Sequence, residues 1–153
     1  MAKPYVVTRE ITIAATAARI HGLIVDLHQW REWSPWEGLD PDLKRTYSGP
    51  ESGVGARYAW DGNKRAGKGT MEVTSSTPGE EVRIAVAFEK PFSARSTSTF
   101  RLVPNGEHTL VRWQLGGELN LLMQAFSLVK SMDSMMGPDL EKGLRQLKAA
   151  AEN

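Results

Sequence analysis

Residues 119 to 153 read LNLLMQAFSLVKSMDSMMGPDLEKGLRQLKAAAEN, and this stretch decides the fold. Its large apolar residues fall at Leu122, Phe126, Val129, Met132, Met136, Leu140, Leu144 and Leu147, in steps of three and four. That spacing lays one apolar stripe along an α-helix and turns Lys130, Glu141, Lys142, Arg145 and Lys148 mostly away from it. No other run keeps this period for so long. One fault interrupts it. At Gly137-Pro138 the proline lacks an N–H and collides with the carbonyl four residues back, which predicts a kink or a break with Pro138 opening a new helical turn.

Working outward, residues 5–13 are rich in β-branched side chains and read as a first strand. The texture then turns helical, with Thr16 placed as N-cap and Ile20, Leu23, Ile24 and Leu27 forming an apolar side. This short helical pair should end near the cluster Trp30, Trp33 and Trp36, where Pro35 forces a turn. Six further strands follow, at 43–48, 56–60, 69–76, 81–88, 94–103 and 108–115, each closed by Gly, Pro or Asn. Short turns of that chemistry join neighbours into an antiparallel meander. Alternation puts Val82, Ile84, Val86 and Phe88 on one face, and likewise Val111, Trp113 and Leu115. The fold class is therefore α+β: a curved antiparallel sheet of six to seven strands wrapped around a long C-terminal helix.

Composition narrows the function classes. A chain of 153 residues with 41% hydrophobic and 24% charged residues fits one globular domain, 1–153, with a real core. The net charge of +1 argues against a dedicated nucleic-acid binder. Zero cysteines removes disulfides and thiolate chemistry and fits a cytoplasmic protein. No apolar run reaches membrane-spanning length, so no membrane insertion is expected.

Several motifs invite chemistry. Residues 62–70, GNKRAGKGT, match the phosphate-loop pattern GxxxxGK after a strand. A phosphate loop must feed a helix whose N-terminal amides face the phosphates, and a β-branched run follows instead. A hairpin is the better reading. His21 and His28 lie two turns apart, too distant along a helix axis to chelate one ion, and His108 lies beside a turn. Neither a metal nor a cofactor is expected. No serine sits in a nucleophile elbow. Asp133 borders the apolar stripe, either as a solvated edge residue or as a desolvated cavity carboxylate with a raised pKa. The tryptophans near Arg31, Lys44 and Arg45 could stack bases, but Glu32, Glu37, Asp40 and Asp42 interrupt any phosphate track. A structural role suits them better. The methionines Met123, Met132, Met135 and Met136 read as core residues that would also suit an adaptable cavity.

The order of elements resembles the helix-grip fold. More narrowly, residues 25–36 (VDLHQWREWSPW), 53–60 (GVGARYAW), 67–71 (GKGTM) and 136–144 (MGPDLEKGL) resemble the START-like, or SRPBCC, superfamily of polyketide cyclase/dehydrase-like and birch-pollen-allergen-like proteins. That resemblance implies a cavity between sheet and last helix for an apolar or amphipathic small molecule, and no fixed catalytic set. By alternation and helical phase the expected lining is Tyr58, Trp60, Phe88, Phe100, Trp113, Phe126 and Met136, with Asp133 at its edge. The first reading is a binder of a lipid or polyketide-like molecule. A cyclase- or dehydratase-type enzyme and a protein-interaction module stay open beside it, and the chain is expected to be a monomer or homodimer.

Overall fold

The computed structural model describes residues 3–90, 93–119 and 132–153. Seven strands, β1 (Lys3–Ile13), β2 (Lys44–Ser48), β3 (Arg57–Asp61), β4 (Lys68–Thr77), β5 (Glu81–Lys90), β6 (Ala94–Asn105) and β7 (His108–Leu119), form one sheet. Between β1 and β2 lie the helix α1 (Ala17–Val25) and a 3-10 turn (Leu27–Glu32), and the chain closes with helix α2 (Met132–Glu152). Every strand pair is antiparallel, in the order β1-β7-β6-β5-β4-β3-β2. From β2 to β7 the chain runs as the expected meander. The first strand closes the other end by pairing with the last, from Lys3 opposite Leu119 to Ile13 opposite Thr109.

Local chemistry explains the helical pair. Thr16 Oγ1 accepts the backbone N–H of Arg19 at 3.2 Å and so starts α1. Asp26, in extended backbone, ends α1 and starts the 3-10 turn by accepting the N–H of His28 at 3.0 Å. The indole N–H groups of Trp30 and Trp33 then donate back to the carbonyls of Ile24 and Leu23, both at 2.8 Å. Those two bonds satisfy the polar edges of large rings while their apolar bodies are buried. The tryptophan cluster is structural, as expected.

α2 buries Leu140, Leu144, Leu147 and Ala151, and packs chiefly on β1. Each of those leucines contributes about 1.5–3 kcal/mol by leaving water. The C-terminal end is capped from α1: the Arg19 guanidinium donates to the carbonyls of Ala150, Ala151 and Asn153 at 2.6–3.2 Å. A cation there satisfies carbonyls that no helical N–H can reach and complements the negative end of the helix dipole.

Of the kink or break expected at Pro138, a break is not found: α2 runs unbroken from Met132 to Glu152 with Pro138 inside it. A proline disfavours helical backbone in the residue before it partly through that residue's Cβ, and Gly137 has none. The same missing Cβ admits Arg9 of β1, whose guanidinium lies where a Gly137 side chain would start. Arg9 pairs with Asp133 at 2.6 Å and with Glu141 at 3.5 Å, one turn to either side. The turn around Pro138 is thus braced from the sheet.

Candidate ligand-binding site

Inward-facing side chains of the sheet divide into two sets. Beneath α2 and the 3-10 turn, the space is filled. Phe100 and Trp113 stack at 4.8 Å between ring centroids, and Trp30, Trp33 and Trp36 close on Trp113 edge-on at 5.7–6.2 Å. Phe100, Trp113 and Trp33 have no solvent-accessible surface. Ser98, a small polar residue on the same face, is buried among them, and its hydroxyl accepts the Trp113 indole N–H at 3.2 Å.

Towards the β2 edge the inward face carries a second set. His28 stacks on Tyr47 at 4.0 Å, Tyr47 contacts Tyr58 at 5.1 Å, Tyr58 lies parallel to Trp60 at 6.0 Å, and Phe88 meets Trp60 edge-on at 5.4 Å. Register builds this ribbon, since Tyr47 is directly opposite Tyr58 across β2 and β3, and Trp60 is opposite Gly69 of β4. A Cβ on Gly69 would lie 2.6 Å from the Trp60 indole, so the glycine is what lets that ring lie across β4. The indole N–H donates to the Ala66 carbonyl at 2.9 Å and fixes the ring's tilt. Unlike Phe100, Trp113, Trp30 and Trp33, these rings are open to solvent: Tyr47, Tyr58 and Trp60 are half-buried, and Phe88 is 37% exposed.

Polar groups gather at the same edge. Arg45 points inward from β2, directly opposite Trp60, and donates to Glu37 Oε1 at 2.6 Å. Its Nε is shielded from solvent and has no acceptor among the described residues. Burial pushes the Tyr58 phenol up to about 12, with Glu37 adding to the rise and Arg45 opposing it. Tyr47 is raised for the same first reason. Both stay protonated donors throughout the physiological range.

The expected lining therefore falls into parts. Tyr58, Trp60 and Phe88 come together in the open ribbon. Phe100 and Trp113 belong to the closed core, and Met136 is a half-buried residue of α2 packed against that core. Phe126 lies outside the described residues. Asp133 is not a desolvated carboxylate: its side chain is 57% exposed, and the hydrogen-bonded Arg9 guanidinium holds its pKa below the usual carboxylate range. Tyr47, Arg45 and Glu37 are additions that sequence reasoning missed. Alternation on β2 would have turned Arg45 and Tyr47 to one face, but no signal joined them to Glu37.

The phosphate-loop match is a hairpin. Asn63 Oδ1 accepts the N–H groups of Arg65 and Ala66 at 2.9 and 3.0 Å, Gly62 N–H goes to the Gly67 carbonyl at 2.9 Å, and β4 follows at Lys68. Its amides bind its own chain. The histidines are also separate: His21 Nε2 meets Ser76 Oγ at 3.1 Å, whereas His28 Nδ1 meets Asp26 at 2.8 Å.

A hollow of about 990 Å³ spans the middle strands. It is lined by the inward row Tyr58, Met71, Val86, Ser96 and Gly117 and by the outward-facing residues on either side of that row, including Arg57, Glu72, Ala85 and Thr97. Trp60 and Phe88 are not part of it, so volume alone does not mark the ribbon. The outward rows are threonines, alanines and paired charges such as Arg57–Glu72 at 2.7 Å, without converging apolar surface. Chemistry favours the ribbon.

Comparison with known proteins follows this geometry. The family model described as polyketide cyclase/dehydrase and lipid transport matches residues 5–152. The chain belongs to that family. As a member of the wider SRPBCC group it shares a fold associated with hydrophobic ligands. Among solved structures, norcoclaurine synthase from Thalictrum flavum in complex with dopamine and hydroxybenzaldehyde is similar at a TM-score of 0.71 and 12% identity, over 97% of this chain and 87% of that one. The Aha1 dimer from Colwellia psychrerythraea is similar at 0.62 and 20%, over 97% and 96%. Protein MLL2253 from Mesorhizobium loti is similar at 0.68 and 18%, over 95% of each chain. At these identities the likeness is one of fold, which is the expected helix-grip arrangement. No curated protein matches the sequence. Among the described residues, no helix of this family member is long and apolar enough to cross a membrane.

Proposed function

We propose that the protein binds an apolar or amphipathic small molecule, of the planar aromatic or lipid kind, against the ribbon formed by Tyr47, Tyr58, Trp60 and Phe88. The observation that carries this reading is the half-open state of those four touching rings on a face where Phe100 and Trp113 are sealed. Exposed large apolar side chains elsewhere, at Val6, Val54, Val103 and Met135, are not part of this ring chain. Scattered exposed residues of that kind need no partner, whereas four touching rings offer a continuous surface. Flat rings placed edge to face and parallel favour a flat occupant over a branched one.

Phe88 gives the cleanest test, because it is exposed and Phe88→Ser removes ligand contact with little effect on the core. Thermal melts of both proteins with 2-ethylnaphthalene and with oleate are the measurement. A ligand at a hundred times its Kd adds about 2.7 kcal/mol to stability, so a real site raises the Tm of the natural protein. The rise should shrink strongly in Phe88→Ser. If neither compound raises Tm, or if the rise survives in Phe88→Ser, the ribbon is not the site.

An enzymatic reading through Asp133 has weaker support. A carboxylate paired with Arg9 and held at low pKa is a poor base at neutral pH.

A further inference from the structure

We infer that the ligand presents an uncharged hydrogen-bond acceptor, a carbonyl oxygen of the ketone or lactone kind, to the corner where Arg45 and Tyr58 meet the aromatic ribbon. This rests on the reading that the ribbon is the ligand site, and adds the chemistry of the ligand's polar end.

Four observations carry it. First, of the cations that alternation places on the inward face of the described strands, Arg9 is held by Asp133 and Glu141 and Lys90 is an exposed residue at the end of β5, whereas Arg45 is part-buried beside Trp60. Second, Arg45 stands directly opposite Trp60, and Tyr47 directly opposite Tyr58, so the corner adjoins the rings. Third, the Arg45 Nε–H is shielded from solvent and meets no acceptor in hydrogen-bonding geometry, although the side chain as a whole is 21% exposed and the guanidinium lies against the Tyr58 phenol. Buried donors are rarely left in that state, and such an orphan marks a place where an acceptor is missing. Fourth, Glu37 already neutralises the guanidinium at 2.6 Å. A carboxylate or phosphate brought to the same corner would meet Glu37 as a like charge, whereas a neutral oxygen would not.

The polarity of the corner points the same way. Arginine can only donate, and the half-buried Tyr58 phenol keeps its proton at any physiological pH. A ligand hydroxyl could satisfy one of them, but a carbonyl oxygen, with two lone pairs and no proton to place, can accept from both.

Three probes of matched shape test this: 2-ethylnaphthalene, 2-acetylnaphthalene and 2-naphthoate, titrated calorimetrically into the full chain. The ketone is the less hydrophobic of the neutral pair, so area burial alone ranks it second. The inference ranks it first, by about three- to tenfold, with naphthoate weakest. Arg45→Lys keeps a cation beside Glu37 but has no Nε–H, and Tyr58→Phe keeps the ring but not the donor. In both variants the ketone's advantage over ethylnaphthalene, taken as the ratio of the two affinities within the same variant, should shrink towards unity; an unchanged melting temperature confirms folding. If ethylnaphthalene binds and the ketone binds no tighter, or if the advantage persists in both variants, the inference fails and the ribbon reading stands. A preference for naphthoate would identify an anion site and overturn it as well. Failure of all three probes to bind would bring down both.

Discussion

Gly69 illustrates how one missing methyl positions a binding surface. A Cβ there would lie 2.5 Å from the Ala87 carbonyl oxygen and 2.6 Å from the Trp60 ring. Gly69→Ala must therefore displace the indole and strain β4, at a cost of about 1–3 kcal/mol. The expected result is a lower Tm together with loss of ligand affinity. Retained affinity would show that Trp60 is not a contact. His21 supplies a second test at this scale. It is buried, its Nδ1 accepts the Gly79 N–H at 3.4 Å, and burial lowers its pKa below 6.5. The folded state therefore binds fewer protons at this site than the unfolded chain as pH drops through 6.5. The contribution of His21 is fully present above that value and is lost as pH falls through the lower, folded pKa. Denaturant melts from pH 7.5 to 5 should show stability declining, and His21→Gln should flatten that decline. An identical slope in the variant would mean that other groups set it.

At the scale of elements, α2 carries two glycines that the sequence pattern does not distinguish, and the structure gives them opposite roles. A Cβ on Gly143 would lie 2.7 Å from Trp113 and 2.9 Å from Pro35, both buried and rigid. A Cβ on Gly137 would meet the flexible end of Arg9. Alanine adds about 1 kcal/mol of helix propensity at either position. Gly143→Ala should nonetheless lose about 1–3 kcal/mol to overpacking, and so lower Tm by several degrees. Gly137→Ala should lose less than Gly143→Ala, because the guanidinium can move, but should show no net gain, because the new Cβ before Pro138 offsets the helix propensity. Equal effects in thermal melts would contradict this packing. The loop between β3 and β4 gives a further contrast: ATP with magnesium should leave Tm unchanged, since the loop's amides are bonded to its own chain. Period and turn chemistry made these elements legible in advance, because both are local. Seven strands and the end of α2 fall within a few residues of where alternation and the apolar stripe put them. Pro138 does not break the helix, because its effect depends on a glycine before it and on an arginine from a strand more than a hundred residues away.

Over the whole molecule, what the sequence left unread is what depends on distance. Nothing near Tyr5 indicates that β1 pairs with β7, yet that pairing completes the sheet and brings Arg9 to α2. The aromatic residues make the same point. Alternation correctly turned Tyr58, Trp60, Phe88, Phe100 and Trp113 inward, but it reports a face and not a position along that face. Phe100 and Trp113 stand under α2 and the tryptophan cluster, whereas Tyr58, Trp60 and Phe88 stand beyond them. The central claim is that this outlying ribbon, and not the sealed aromatic core, receives the ligand. The five tryptophans make it directly measurable, because each indole N–H gives its own signal in a ¹H–¹⁵N spectrum and can be assigned by Trp→Phe substitution. Titration with 2-ethylnaphthalene should move the Trp60 signal progressively to saturation while those of Trp30, Trp33 and Trp113 stay in place. Movement of the Trp33 and Trp113 signals with Trp60 unmoved would contradict the account and put the ligand in the core.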